Sequence, residues 1–575
     1  MRSLPSLAFS LLLSPLAQAS PPRRNADLHD RHLPAWDHDH NKLGAVASES
    51  SICSNIGIDI LKAGGNAADS LVATTFCVGV IGMYHSGIGG GGFMLVRDKT
   101  GCYEFIDFRE TAPAAATEDM YSNNINASIY TGLASGVPGE IRGLAHLHSK
   151  YGRLPWKQLV MPAVKVARDG FPVTKDLVRY MASAISGIEN FLVEEPTWAI
   201  DFAPNGTLLG LGDTITRQRY ASTLESIAKR GPDAFYTGPI AEATISTINR
   251  TGGIMTMEDL KNYTVAIREP STISYRGYKL TSGSAPSSGT VLASVFKIIE
   301  GYKNIGQAAT INESTHYLDE AIRFAYGQRS LLGDPSFVEG MDEYQADMLK
   351  DVTAAAVRAK INPAHTLNVS AYDPDGFESL NTPGTSAVAT SDASGLSVSL
   401  TTTVNLLFGS KVMVPETGVI LNDEMNDFSV PGESNAFGYI PSPANYIRPG
   451  KRPLSSISPT IVERPDGTVY FIAAAAGGSR IITAVAQNVW HVLDQNMTAP
   501  QALAQPRLHD QLVPNQVTFE YTYDNETVAF MKSLGHNVTW VAPGQSTAQS
   551  IRRLLNGTFE AAGEPRQLNS GGYAI

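Results

Sequence analysis

The chain has 575 residues, 43% apolar and 17% charged, which is enough apolar sequence for a large core and too little charge for a disordered chain. Its 44 Lys and Arg against 55 Asp and Glu leave a net charge of −11. With no long basic run, that balance argues against a nucleic-acid binder, and no apolar run of about 18 residues follows the N-terminus to cross a membrane. In chain order, residues 1–19 read as a signal peptide. Arg2 supplies the positive start, Leu7 to Leu16 the short apolar stretch, and Ala17-Gln18-Ala19 the cleavage site, so the mature chain is expected to begin near Ser20. An uncleaved anchor is the weaker reading, because the segment is short and holds two prolines.

Residues 20–42 read as a polar lead-in. The His and Asp residues from His29 to His40 have spacings that could bind a metal, but a solvated tail is the better reading and no metal site is expected. From Gly44 the chain turns globular. Ser54 to Ala63 and Ala67 to Val80 are predicted helices broken at Gly64-Gly65. The run Gly87 to Gly92 raises the question of a phosphate cradle. Such a loop should open a helix, whereas this one leads into Phe93-Met94-Leu95-Val96, a predicted strand. Close backbone packing beside a site is the preferred reading, and no cofactor is expected.

Helical patterns dominate residues 136–360, as in Pro155 to Arg168 and Ser314 to Leu331. Short strands follow from about residue 385: Leu396 to Val404, Thr460 to Glu463 and Val469 to Ala474, then a helix from Ile481 to Leu493. This order suggests a layered α+β fold. Ten Asn-x-Ser/Thr sequons, at Asn126, Asn205, Asn249, Asn262, Asn312, Asn368, Asn496, Asn525, Asn537 and Asn556, point to a secreted glycoprotein with those loops on its surface. Cys53, Cys77 and Cys102 are the only cysteines: one bridge and one leftover thiol fit an oxidising compartment.

One constellation carries chemistry. In Thr382-Pro383-Gly384-Thr385-Ser386, a hydroxyl folded back on the Gly384 carbonyl could break that peptide bond. Thr385 would then be a new N-terminus, with its hydroxyl as nucleophile and its own α-amine, of pKa about 7.7–8, as base. Glu424 and Asp427, spaced i, i+3, could face one way and hold a substrate ammonium. Arg109 could clamp a carboxylate bidentately, with Ser455 and Ser456 adding donors. Gly477-Gly478, between a strand and a helix start, could offer backbone N–H groups to an oxyanion. Taken singly, each group has a structural explanation that is at least as good.

Taken together, the residues resemble the γ-glutamyltranspeptidase (glutathione hydrolase) family of N-terminal-nucleophile hydrolases, from about Gly44 to Tyr573. The resemblance rests on His85 to Phe93, Phe108-Arg109-Glu110, Ala134 to Gly139, Gly333-Asp334-Pro335, Gly384-Thr385-Ser386, Thr403-Val404-Asn405, Asn422 to Phe428, Lys451 to Ser456, Gly477 to Arg480 and Ser546 to Ser550. It implies a four-layer αββα sandwich built from a large subunit, residues 43–384, and a small catalytic subunit, residues 385–575, cut from one precursor and held as a heterodimer. It implies Thr385 as nucleophile, Thr403 near its amine, and Gly477 and Gly478 at the oxyanion. Arg109, Ser455 and Ser456 would hold the α-carboxylate of a γ-glutamyl group, and Asn405, Glu424 and Asp427 its α-amine. The implied substrates are glutathione and other γ-glutamyl compounds, with water or an amino acid or dipeptide as acceptor.

By the same resemblance, Cys53 and Cys77 are expected to form a disulfide and Cys102 to be free and buried. Phe437 is expected in a lid over the glutamyl pocket. Many family members carry a His two residues after the nucleophile and a hydroxyl two further on; this chain has Ala387 and Ala389, which bears on the rate of self-cleavage. Rival readings are a related amide hydrolase, such as a cephalosporin acylase or a poly-γ-glutamate depolymerase, and an uncut, non-catalytic secreted glycoprotein. The expected location is extracellular, with the cell wall or vacuole as further destinations.

Overall fold

A serine and an asparagine start the first two helices of the globular chain. The Ser50 hydroxyl accepts from Cys53 N at the head of Ser51–Lys62, and Asn66 forms a reciprocal capping box with Asp69 at the head of Ala67–Ile81. The second helix has apolar residues on every side and is buried along its whole length, as an all-round apolar helix must be. The Cys53–Cys77 disulfide joins the pair, with Cα atoms 5.3 Å apart. The computed structural model describes residues 41–373, 375–377, 384–432 and 440–575, which fall within one compact unit, Asp39–Ile575. The expected signal peptide, residues 1–19, and nearly all of the expected lead-in therefore lie outside the described residues.

Two antiparallel sheets stack face to face. The first has seven strands in the order Gly571–Ala574, Gly44–Ser48, Ser386–Asp392, Ser397–Thr403, Gly91–Arg97, Tyr103–Asp107, Ala266–Arg268. The second has six: Phe559–Ala562, Thr547–Arg553, Val469–Ala476, Thr460–Glu463, Tyr278–Ser282, Ser271–Tyr275. Ser51–Lys62 and Ala67–Ile81 cover the outer face of the first sheet; Gly289–Ile299 and Arg480–Leu493 cover that of the second. The result is the four-layer αββα sandwich, an α+β fold.

Strand alternation sorts the residues between faces. Along Ser386–Asp392, Val388 joins the core under the helices, and Thr390 Oγ1 donates to the Ala67 carbonyl at 2.9 Å. Ala387 packs with Ala474 and Ala476 of the opposite sheet, and Ala389 lies in the core on that side. From the neighbouring strand Ser399 and Thr401 donate across to the carbonyls of Ala473 and Ala475, at 2.8 and 3.0 Å. Small residues on both inner faces let the two sheets approach closely enough for these bonds.

Two surface expectations need adjusting. Cys102 is free but exposed, not buried. It closes the turn between two strands, where Asp98 Oδ1 collects the Thr100 and Cys102 N–H groups at 2.7 and 2.9 Å, so its position is set by turn chemistry. Nine of the ten sequon asparagines are exposed; Asn312 is half-buried, and its side-chain oxygen accepts from Thr527 Oγ1 at 2.7 Å.

Candidate active site

The glycine run packs against Ser397–Thr403, the neighbour of the strand that the candidate nucleophile precedes. A Cβ on Gly90 would collide with the Thr403 carbonyl oxygen, one on Gly92 with that of Thr401, and one on Gly89 with that of Ile420. Only glycine lets these backbones lie so close, which is the packing role expected of this run. Asn422 then ties three loops together. Its Nδ2 donates to the Gly89 and Gly136 carbonyls at 2.7 and 2.9 Å, and its Oδ1 accepts from Gly136 and Glu424 N–H at 2.9 and 3.0 Å. All four of its hydrogen-bonding positions are thereby used.

Thr385 lies just before the strand Ser386–Asp392 and is 5% exposed. Its Oγ1 accepts from Gly477 N–H at 2.8 Å. On the other side of the peptide bond, Gly384 has φ 123°, and a Cβ there would collide with the Asn405 carbonyl oxygen. Thr403 Oγ1 donates to the Gly384 carbonyl at 3.3 Å and accepts from Asn405 N–H at 2.7 Å, which fixes the direction of its proton. Asn405 sits at φ 73°, with its side-chain nitrogen donating to the Asp423 carbonyl at 3.0 Å. Asp423, whose Oδ1 accepts from Leu406 N–H at 2.9 Å, is pushed well above the usual carboxylate range by burial.

Glu424–Asp427 forms one 3₁₀ turn, so the i, i+3 carboxylates do face one way. Both reach Arg109, which is 1% exposed: Nη1 pairs with Glu424 Oε1 and Nη2 with Asp427 Oδ2. The Pro453 and Leu454 carbonyls lie 3.4 and 3.5 Å from the same guanidinium. Ser455 and Ser456 follow directly. Ser455 Oγ accepts from Ile457 N–H at 3.2 Å, and Ser456 Oγ accepts from Arg329 Nη2 at 3.0 Å. Arg109, a carboxylate-binding candidate, and Glu424 and Asp427, ammonium-binding candidates, are thus brought together, but paired with one another. Behind Arg109, neither oxygen of Glu110 has a hydrogen-bond partner among the described residues, and burial pushes its carboxyl up to about 8.

Gly477 and Gly478 stand at φ 124° and 59° ahead of Arg480–Leu493, in the turn from strand to helix whose Gly477 N–H reaches Thr385 Oγ1. Phe437 lies outside the described residues. Sequence reasoning missed Asn422 as the organiser of the loops, although it stands inside a motif already singled out. It also missed Arg329, which nothing local connects with Ser456. Among the described residues, His316, Glu320 and His536 are of metal-ligating types. Their polar atoms are engaged within the protein: His316 Nδ1 and His536 Nε2 are 2.8 Å apart, His316 Nε2 donates to Asn362 O at 2.8 Å, and Glu320 accepts from Thr366 Oγ1 at 2.6 Å.

A family model described as gamma-glutamyltranspeptidase matches residues 53–573. A glutathione hydrolase proenzyme of Arthroderma benhamiae is 56% identical over 559 residues, 95% of each chain. A glutathione hydrolase of Aspergillus flavus is 52% identical, with 92% of this chain and 89% of the relative covered. Among solved structures, a cephalosporin acylase from Bacillus halodurans superposes with a TM-score of 0.82 at 26% identity, over 98% of this chain and 99% of that one.

Proposed function

The chain belongs to the gamma-glutamyltranspeptidase family and is a glutathione hydrolase, and on that premise we propose that Thr385, released as an N-terminus by cleavage of the Gly384–Thr385 bond, is its nucleophile. The observation that carries this reading is the pair of contacts across that bond: Gly477 N–H on the Thr385 hydroxyl and the Thr403 hydroxyl on the Gly384 carbonyl. In self-cleavage, Thr385 Oγ attacks the Gly384 carbonyl carbon, and the negative charge on the carbonyl oxygen develops against the Thr403 proton. The acyl group passes from nitrogen to oxygen. Water hydrolyses the ester, leaving a Gly384 carboxylate and a free Thr385 amine.

In turnover that amine takes the hydroxyl proton as Oγ attacks the γ-amide of glutathione, then returns it to the departing amine of cysteinylglycine. Gly477 and Gly478 N–H groups hold the tetrahedral oxyanion. The γ-glutamyl ester is resolved by water or by the amine of an amino acid or dipeptide. Arg109 with Ser455 and Ser456 takes the α-carboxylate; Glu424 and Asp427 with Asn405 take the α-ammonium. One buried cation beside two buried anions is the charge pattern that a zwitterionic glutamyl end matches and a plain acyl group does not. This favours a γ-glutamyl substrate over the cephalosporin of the structural neighbour's name.

The outer surface supports delivery to the secretory route as a heterodimeric glycoprotein: exposed sequons and a disulfide both fit an oxidising compartment. Among the described residues no helix is long and apolar enough to cross a membrane. Thr385→Ala tests the assignment. The variant is expected to stay a single chain by mass and to lose at least about 10³-fold of its γ-glutamyl p-nitroanilide hydrolysis. A variant that is still cut and active would remove Thr385 from the mechanism.

A further inference from the structure

The ladder around the nucleophile strand is incomplete at its start. Ser386 pairs with Thr402 on one side, but on the other side the pairing with Gly44–Ser48 ends at Ser48 opposite Val388. The first residues of the small fragment thus have a β neighbour on one flank only. A free N-terminus held this way frays, and fraying at Thr385 moves the reacting atoms.

A side chain continues where the ladder stops. Glu49 follows Ser48 and reaches back along the strand, so that Ser386 Oγ donates to Glu49 Oε1 at 2.6 Å. Glu49 Oε2 takes Gln567 Nε2 at 3.1 Å and lies 3.2 Å from His85 Nδ1. Glu49 is 4% exposed, and Ser386, His85 and Gln567 are buried with it. Gly82 makes the room: a Cβ there would collide with the Glu49 carboxylate. The rings of Tyr84 and Tyr180 pack on His85, with centroids 4.6 and 4.4 Å away. Burying a carboxylate costs several kcal/mol unless donors surround it, and here three do. On the opposite face of the strand, Ala387 and Ala389 offer no polar group, so alternation leaves Ser386 as the side-chain anchor of the strand start.

We propose that Glu49 is a positioning residue of this enzyme: through a charge-assisted hydrogen bond to Ser386 it holds Thr385 in place, first for self-cleavage and then, across the cut, for turnover. His85 and Gln567 hold the carboxylate in turn. This rests on Thr385 being the nucleophile. Because the side-chain partners of Glu49, namely Ser386, Gln567 and His85, are not among the residues assigned to the γ-glutamyl end, its loss should lower kcat and leave KM unchanged.

The test compares wild type, Glu49→Gln, Ser386→Ala, Ser386→Thr and the Glu49→Gln/Ser386→Ala double variant, each full-length. The small fragment is identified by its N-terminal sequence, cutting is followed by gel, and kcat and KM are measured with γ-glutamyl p-nitroanilide. Wild type is expected to start its small fragment at Thr385. Glu49→Gln and Ser386→Ala should cut more slowly and lose about 10-fold in kcat, with KM within about two-fold. The double variant should be no worse than either single one, and Ser386→Thr, which keeps the hydroxyl, should recover most of the rate. Wild-type rates in both single variants, or losses that multiply in the double, would overturn the proposal while leaving Thr385 as nucleophile. A wild-type small fragment starting elsewhere would overturn the nucleophile assignment itself. Should Glu49→Gln fail to accumulate, the contrast between Ser386→Ala and Ser386→Thr decides alone, and equal rates in those two refute the anchor.

Discussion

A guanidinium held by two buried carboxylates cannot be cut away cleanly: Arg109→Ala would take the guanidinium from the buried Glu424 and Asp427, at a cost of about 3–5 kcal/mol. Arg109→Lys keeps the charge but loses the two-pronged fit to a carboxylate. It is expected to lower kcat/KM for γ-glutamyl p-nitroanilide about 10–100-fold, mainly through KM. Glutaryl p-nitroanilide, which lacks the α-amine, should be a poor substrate of wild type; comparable rates on both compounds would favour the acylase reading. Glu110 gives a pH prediction. Its carboxyl is raised by burial to about 8, against about 4.3 unfolded, while the Arg109 charge pulls the other way. Between those values the folded state keeps a proton that the unfolded chain has released, so stability is highest below the lower value and falls as pH rises toward 8. Glu110→Gln is neutral throughout and should flatten that decline by an amount on the order of 2–4 kcal/mol, read as a smaller drop in Tm from pH 5 to pH 8.5 than wild type shows.

Elements with a local signature were legible in the sequence. The i, i+3 spacing of Glu424 and Asp427 anticipated one turn with both carboxylates facing one way, and the glycine run anticipated a close backbone approach because its exit read as a strand. What was not legible depends on distance in sequence. Ser386 and Glu49 are 337 residues apart, and Arg329 and Ser456 are 127 apart, so no window along the chain contains either pair. Cys102 was misplaced for a different reason: a free cysteine is most often buried, but here the turn around Asp98 decides. Ala387 and Ala389, which stood out as missing polar groups, are packing residues of the inter-sheet layer. At this scale Gly384 is the position most sensitive to change. Gly384→Ala would drive a methyl into the Asn405 carbonyl and strain a φ of 123°. It is expected to slow self-cleavage at least about 10-fold, seen as persistent full-length chain on a gel.

Across the whole molecule, strands from before and after Gly384 interleave. In the first sheet Gly44–Ser48 lies between Gly571–Ala574 and Ser386–Asp392; in the second, Tyr278–Ser282 pairs with Thr460–Glu463. Fragments cut at Gly384 therefore share both sheets and cannot part without breaking ladders. The processed protein is expected to elute as one species and to unfold in a single transition. Its two fragments should separate in denaturant alike with and without reductant, because Cys53–Cys77 lies within the large fragment. Fragments that drift apart in native buffer would contradict this architecture. The placement of Gly571–Ala574 has one more consequence, for truncation. Gly571–Ala574 is the edge strand of the sheet that carries Thr385, and it covers the outer flank of Gly44–Ser48. A chain shortened before Gly571 would leave Gly44–Ser48 with a single β neighbour, Ser386–Asp392, and so loosen the flank of the very strand that Thr385 precedes.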